Sequence, residues 1–287
     1  MSEEAQEKKR PSVKAIAAVA AAVIVIVAAV SYWFVTYQIP HNEAVAEFDE
    51  QVAGLAERND ELDKAIADLQ AVMKSDEKPL DESLIDAASS TIGEAQGAKQ
   101  DAPEMPGGTD EILAAADGVA KMGDYAEELG ALAGAKTDLE NSIAQLKQVT
   151  APTEQFVIER VTGLPNVTGV EAVTEGNDPN GNLGKAGSYS ALVYFSSDLV
   201  DSSEVYISEG YSGIVGAGCD GGGAVEVYQT TEDAEKRDQY LAAFDGSILA
   251  SGSHKVVGAC VVRTSTYLTA SQQNAMEQAI VDSLTRL

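Results

Sequence analysis

The chain has 287 residues, room for one or two domains, and its 19 Lys and Arg stand against 46 Asp and Glu for a formal charge of −27. So negative a field repels phosphate backbones, which excludes nucleic acid as a natural partner. Aromatic residues make up only 6% of the chain while alanine is abundant, which suits packed helices better than an aromatic-rich binding surface.

Residues 1–14 run against the acidic trend, with Lys8, Lys9, Arg10 and Lys14 against Glu3, Glu4 and Glu7. Directly after them comes "AIAAVAAAVIVIVAAVSYWFV", 21 residues from Ala15 to Val35 without a charge. As a helix this stretch rises roughly 31 Å, the thickness of a bilayer's hydrocarbon core. Tyr32, Trp33, Phe34 and Tyr37 gather at its far end, where amphipathic rings favour the membrane interface. The next Lys or Arg is Arg58. The positive-inside rule therefore predicts a cytoplasmic tail over 1–14, a transmembrane anchor over 15–36, and everything past about 37 outside the cytoplasm. The competing reading is a signal peptide cut near Ala29-Val30-Ser31. Against it, the apolar run exceeds the usual ~7–15 residues and continues through four bulky side chains beyond Ser31. No Cys near the segment's end offers a site for lipid modification.

A heptad pattern starts at Val45 and continues through Phe48, Val52, Leu55, Asn59, Leu62, Ile66, Leu69 and Met73. Asn59 is the one polar residue among these a and d positions, and a lone Asn there specifies register in parallel dimers. Arg58 and Asp63 fall at g and e, where they would pair between chains. The homodimeric coiled coil has a rival within one chain. A second apolar series runs Met122, Tyr125, Leu129, Leu132, Leu139, Ile143, Leu146, with Lys136 in the stripe, and "PLDESLIDAASSTIGEAQGA" reads as a shorter helix between the two. Three helices with short connections can bury each other's stripes as an antiparallel bundle. Either arrangement makes 37–150 a helical stalk.

After "TAPTEQ" the heptad stops and Gly and Val rise, which marks 151–287 as a second domain. A helix is predicted around Glu154–Thr162, followed by strands in "NVTGVEAVTE", "SYSALVYFS" and 224–229. A helix opening at Thr230 or Thr231 carries Glu232, Asp233 and Glu235 in its first turn and closes near Phe244. "HKVVGACVVRT" reads as one apolar strand at the centre of the sheet. Thr269 and Gln272 form a capping box for a last helix that buries Met276, Ile280, Leu284 and Leu287. The predicted class is α+β, with about four strands and helices on one face.

"NDPNGNLGKAGSYSALVYFSSDLVD" and "GGGAVEVYQTTEDAEKRDQYLAAFDGSILASGSHKVVGACVVRTS", followed by "LTASQQ", resemble the C-terminal domain of a family of exported, membrane-anchored proteins of Gram-positive, actinobacterial-type bacteria. The stalk start "YQIPHNEAVAEF" is similar too, while Gly187-Ser188-Tyr189 departs from the family's Gly-Gly-Tyr. The resemblance implies the anchored, exported layout and brings no catalytic residues.

Each candidate for chemistry has a plain alternative. Gly216, Gly218 and Gly221 match the G-x-G-x-x-G spacing, but they lead into the strand pattern Ala224-Val225-Glu226-Val227-Tyr228, whereas a dinucleotide loop opens a helix. No cofactor is expected. Cys219 and Cys260, the only cysteines, either form a disulfide joining the glycine-rich loop to the central strand or stay as buried thiols. Asp178, Asn180 and Asn182 occupy positions 1, 3 and 5 of a calcium-loop pattern, with Leu183 and Tyr189 where Gly and Glu belong. An Asp-Pro-Asn-Gly turn is the alternative, and no other metal site is expected. Ser251, Ser253, His254 and Asp245 supply the residue types of a hydrolase triad without the G-x-S-x-G elbow. "LPNVTG" is one residue too long for a wall-sorting signal. The expectation is a non-enzymatic interaction domain held on a stalk and facing an envelope or surface ligand. The rivals are a membrane-tethered cell-wall hydrolase and an envelope sensor or assembly scaffold.

Overall fold

The computed structural model describes residues 12–247 and 252–287. Lys8, Lys9, Arg10 and Ser251 lie outside the described residues. Helix α1 (Val13–Trp33) opens at Ser12, whose hydroxyl accepts the Ala15 N–H. None of its residues is buried, and it is long and apolar enough to cross a membrane. It continues through one π-helical stretch, Phe34–Gln38, into α2 (Ile39–Met73). Pro40 accounts for the irregular turn, because it has no N–H to give and its ring crowds the carbonyl one turn back. The widened turn, in which the Ile39 N–H reaches the Phe34 carbonyl, absorbs that misfit without breaking the helix. Tyr32, Trp33, Phe34 and Tyr37 are all exposed here, and the Trp33 and Tyr37 rings stack at 5.9 Å.

Helices α3 (Ser83–Ala98), α4 (Thr109–Val119) and α5 (Ala126–Thr150) follow. The chain divides into two compact units, one reaching Leu69 and resuming over Ser90–Ala133, the other comprising Gln70–Ser89 and Gly134–Leu287. In the first unit the heptad stripe of α2 is covered by its own chain. Phe48 and Leu55 are buried against Ile112, Ala116 and Val119 of α4, with Val45 and Val52 packed on the same cluster. Leu62, Ile66 and Leu69 are buried as well, while Asn59 and Met73 are half-buried. Asn59 donates to the Gln100 carbonyl at 2.9 Å and accepts the Tyr125 hydroxyl at 2.7 Å. Asp63, the predicted interchain partner of Arg58, instead pairs with Lys99 of the same chain. These contacts bury the α2 stripe against other helices of the same chain. α4 is an element the sequence reading did not separate from its neighbours.

The second unit is built on a sheet. Strands β1 (Val167–Ala172), β2 (Ala191–Ser197), β3 (Gly222–Val227), β4 (His254–Val257) and β5 (Cys260–Thr264) form an antiparallel sheet in the order β1-β2-β3-β5-β4. Among the described residues there are thus five strands, not four, and β3 is central. "HKVVGACVVRT" is a hairpin, because Gly258 takes φ +58 and turns the chain between Val257 and Cys260.

Helices cover both faces, which corrects the one-sided expectation. On one face α6 (Glu154–Val161), α9 (Ala270–Thr285) and the end of α5 bury Val149, Val157, Ile280 and Leu284 against Val193, Phe195, Val225 and Val262. On the other, α8 (Thr231–Ala242) and a short turn of helix α7 (Gly213–Ala217) bury Val215, Ala234 and Leu241 against Leu192, Tyr194, Ala224 and Val261. The capping box of Thr269 and Gln272 is present, and Thr230 caps α8 by accepting the Asp233 N–H at 3.1 Å. Met276, Ile280 and Leu284 are buried as expected, but Leu287 is exposed. The last turn of α5 is fixed to the domain, since the Val149 carbonyl accepts the Ala259 N–H at 2.7 Å.

Candidate functional site

The most strongly polar site of the domain lies under α8. Glu226 sits on β3 and Arg263 on β5, while Arg237 comes from the second turn of α8. The strand register puts Glu226 opposite Val261 and Arg263 opposite Ala224, so the two charges are diagonal neighbours on one face. Arg263 Nη1 donates to Glu226 Oε1 at 2.7 Å. Arg237 Nη2 donates to the same oxygen at 3.0 Å, and its Nε to Oε2 at 2.8 Å. The Tyr228 hydroxyl adds a fourth bond at 2.7 Å. Glu226 is only 2% exposed, so its charge is out of water. Burial pushes its carboxyl up, but the hydrogen bonds and charges of Arg237 and Arg263 outweigh that and hold it below the ordinary glutamate value. Burial first, then the Glu226 charge, raises the Tyr228 hydroxyl far above its usual range. An ionised, fully bonded carboxylate of this kind locks α8 to the sheet and has no proton to give at neutral pH.

Beside this cluster a polar groove of about 460 Å³ runs between the 180–189 loop and α8, with Asn180, Lys185, Tyr189, Tyr228 and Arg237 on its walls. The proposed calcium residues shape its rim and are otherwise occupied. Asp178 accepts backbone N–H groups from Asn180 (2.9 Å), Asn182 (2.6 Å) and Leu183 (2.8 Å), and the Tyr189 hydroxyl at 2.9 Å. Burial raises its carboxyl, but these donors outweigh burial and keep it ionised. Its oxygens point into the loop, and Asn180 directs its amide to the Tyr189 and Tyr194 hydroxyls. The Asp-Pro-Asn-Gly segment is a turn braced by the Asp178 side chain.

Among the described residues the remaining candidates are engaged as follows. His254 faces a carboxylate with each ring nitrogen, Nδ1 to Asp238 at 2.6 Å and Nε2 to Asp245 at 3.3 Å. Ser253 shares its hydroxyl with Thr264 at 2.7 Å, so among the described residues neither nitrogen meets a serine hydroxyl. Cys219 and Cys260 are free thiols, which corrects the disulfide expectation. Cys260 belongs to the core beneath α6 and α9, whereas Cys219 packs on the α8 side, so the sheet itself separates them. Burial pushes the Cys219 thiol up to about 11 and the Cys260 thiol up to about 12. The glycine motif runs from α7 through a 3₁₀ turn, Gly218–Gly221, into β3, the reverse of a strand-to-helix phosphate loop. Packing explains part of the adjoining glycine run: a Cβ on Gly223 would lie 2.2 Å from Phe195 Cζ and 2.3 Å from the Arg263 carbonyl oxygen. Among the described residues no cluster of His, Cys, Asp and Glu has the makings of a metal site.

The sequence reading missed Glu226, Arg237 and Arg263 as a unit. The alternation of Ala224-Val225-Glu226-Val227 reads as a strand, and only the register of β5 and the placement of α8 reveal that the face bearing Glu226 is covered. No family model, no curated protein and no solved structure matches the chain.

Proposed function

We propose that this chain is a single-pass envelope protein with its N-terminus in the cytoplasm, whose helical stalk presents a non-catalytic α+β recognition domain outside. One observation carries the reading: the continuous helical run Ala15–Val35 offers 21 residues without a charge, none of them buried, with an exposed aromatic collar at its end. So much apolar surface left bare in water is costly, at about 25 cal/mol per Å², and lipid removes that cost. The basic residues before the helix and their absence until Arg58 support the orientation. The resemblance to exported, anchored Gram-positive proteins points the same way. The double carboxylate grip on His254 and the engaged Ser253 hydroxyl support recognition over hydrolysis.

Membranes from cells expressing the full chain test this directly. Alkaline carbonate is expected to leave the intact chain in the pellet, with its N-terminal residues present by mass, and deletion of 13–35 is expected to release it. Release of the intact chain by the wash, or a chain cut near residue 31, overturns the anchor. Hydrolysis of peptidoglycan or esters that disappears in His254→Ala overturns the non-catalytic part.

A further inference from the structure

α5 meets the domain at the β4–β5 turn, where Val149 holds Ala259. At the opposite ends of the strands lie the connections 162–166, 198–221 and 265–269. Among the described residues this end groups four of the domain's exposed large apolar side chains, the others being Tyr240 on α8 and Leu287. Tyr206 is 72% exposed, and Ile207, Leu199 and Tyr267 are exposed too. Two grooves flank the 198–207 loop. One, of about 500 Å³, runs between Pro165, Leu199 and the α9 residues Ala275 and Ala279. The other, of about 400 Å³, has Val205, Ile207, Ile214 and Ala217 on its walls. Exposed apolar surface of this kind beside grooves marks a place where another molecule sits, and tyrosines are favoured anchors there.

The charge around the grooves selects the occupant. Asp198, Asp201, Glu204 and Glu209 are exposed around the loop, and no Lys, Arg or His occurs from residue 186 to 235. Ser203 donates to Asp201 through both its backbone N–H and its hydroxyl, which keeps that carboxylate ionised. Anionic lipid and polyanionic polymers are repelled by this rim, and an apolar peptide without cations leaves its charges unmatched.

We propose that the strand-end loops 198–207 and 265–269, with their two grooves, dock a polypeptide segment in which Lys or Arg alternates with apolar side chains. The apolar residues enter the grooves beside Tyr206 and Ile207, and the cations lie against Asp198, Asp201 and Glu204. This inference rests on the reading of the domain as a recognition module.

The test uses the full chain in phosphatidylcholine nanodiscs and a fluorescein-labelled peptide of alternating Lys and Leu, read by anisotropy. A Lys–Ser peptide of equal charge is expected to bind about tenfold more weakly or worse. Tyr206→Ser with Ile207→Ser, and separately Asp198→Asn with Glu204→Gln, are each expected to weaken the Lys–Leu peptide by about tenfold, with near-ultraviolet tyrosine dichroism confirming the fold. Glu43→Gln with Glu47→Gln, a change of equal charge on α2, is expected to leave binding within about twofold. Equal weakening by the α2 change, no preference for Leu over Ser, or no binding at all overturns the proposal. Because the disc exposes both sides, failure here with an externally accessible C-terminus sinks the docking surface and leaves the anchored topology standing.

Discussion

Replacing Glu226 with Gln removes the carboxylate shared by Arg237 and Arg263 and leaves two guanidinium groups facing a neutral amide. The side chain is 2% exposed and accepts four hydrogen bonds between 2.7 and 3.0 Å. Removing one partner of a buried ion pair costs about 3–5 kcal/mol, and the amide oxygen retains part of the bonding, so about 3 kcal/mol is expected. At about 1.4 kcal/mol per decade, that is roughly a 100-fold loss of hydrogen-exchange protection in β3 and β5 at neutral pH. Substituting the whole group by Glu226→Met, Tyr228→Phe, Arg237→Leu and Arg263→Met is expected to recover protection to within about 1 kcal/mol, because neither a buried charge nor the Tyr228 hydroxyl is left unpaired.

The same carboxylate sets an acid limit. Its folded pKa lies below the ordinary value of 4.5, so its stabilisation is complete above that value and is lost as pH falls through the folded pKa. The thermal midpoint of the domain, read by tyrosine dichroism, is expected to drop below about pH 4.5, and to drop less steeply in Glu226→Gln. A Gln variant within about 1 kcal/mol of wild type at neutral pH, with an unchanged acid slope, refutes the reasoning.

Other outcomes follow from the packing. Asn59→Leu and Tyr125→Phe each break the bond between α2 and the Tyr125 hydroxyl. Each is expected to cost about 1–3 kcal/mol of α2 stability with no change in oligomeric mass; a mass change in Asn59→Leu would instead support dimer specification. Alkylation of the urea-unfolded chain without reductant is expected to label both Cys219 and Cys260, with Cys260 protected in the folded protein. Absence of labelling on unfolding means the cystine exists. Gly223→Ala is expected to destabilise the sheet by about 1–3 kcal/mol or more, since its Cβ meets Phe195 and the Arg263 carbonyl at once. Wild-type stability in that variant contradicts the close approach of β2 and β3.

What the sequence discloses and what it hides divide along a physical line. Local signals read well: the Thr230 cap, the Thr269–Gln272 box and the apolar face of α9 depend on residues within one or two turns of each other. The five-residue apolar run of β2 also reads as a strand, although its burial on both faces does not show. The β4–β5 turn was invisible because Gly258-Ala259 interrupts an unbroken series of valines without Asn, Asp or Pro. α4 was missed because its eleven residues sit between Gly-Gly and the Gly123 turn, too short for a clear repeat. Asn59 fits a dimer heptad and an intrachain bond equally well until Tyr125 is placed beside it. Glu226, Arg237 and Arg263 come from three separate elements, and no local rule joins them. The Cys219–Cys260 disulfide failed for the same reason, because which face of the sheet each thiol occupies is a property of register and topology.

An epitope fused after Leu287 and probed with protease in unbroken cells gives the most direct test of whether the apolar helix holds the acidic domain outside. Loss of the epitope, with the chain protected only up to the end of α1, is the expected result. An epitope untouched until the cells are lysed would place the domain in the cytoplasm and contradict both the anchor's orientation and the presentation of the domain.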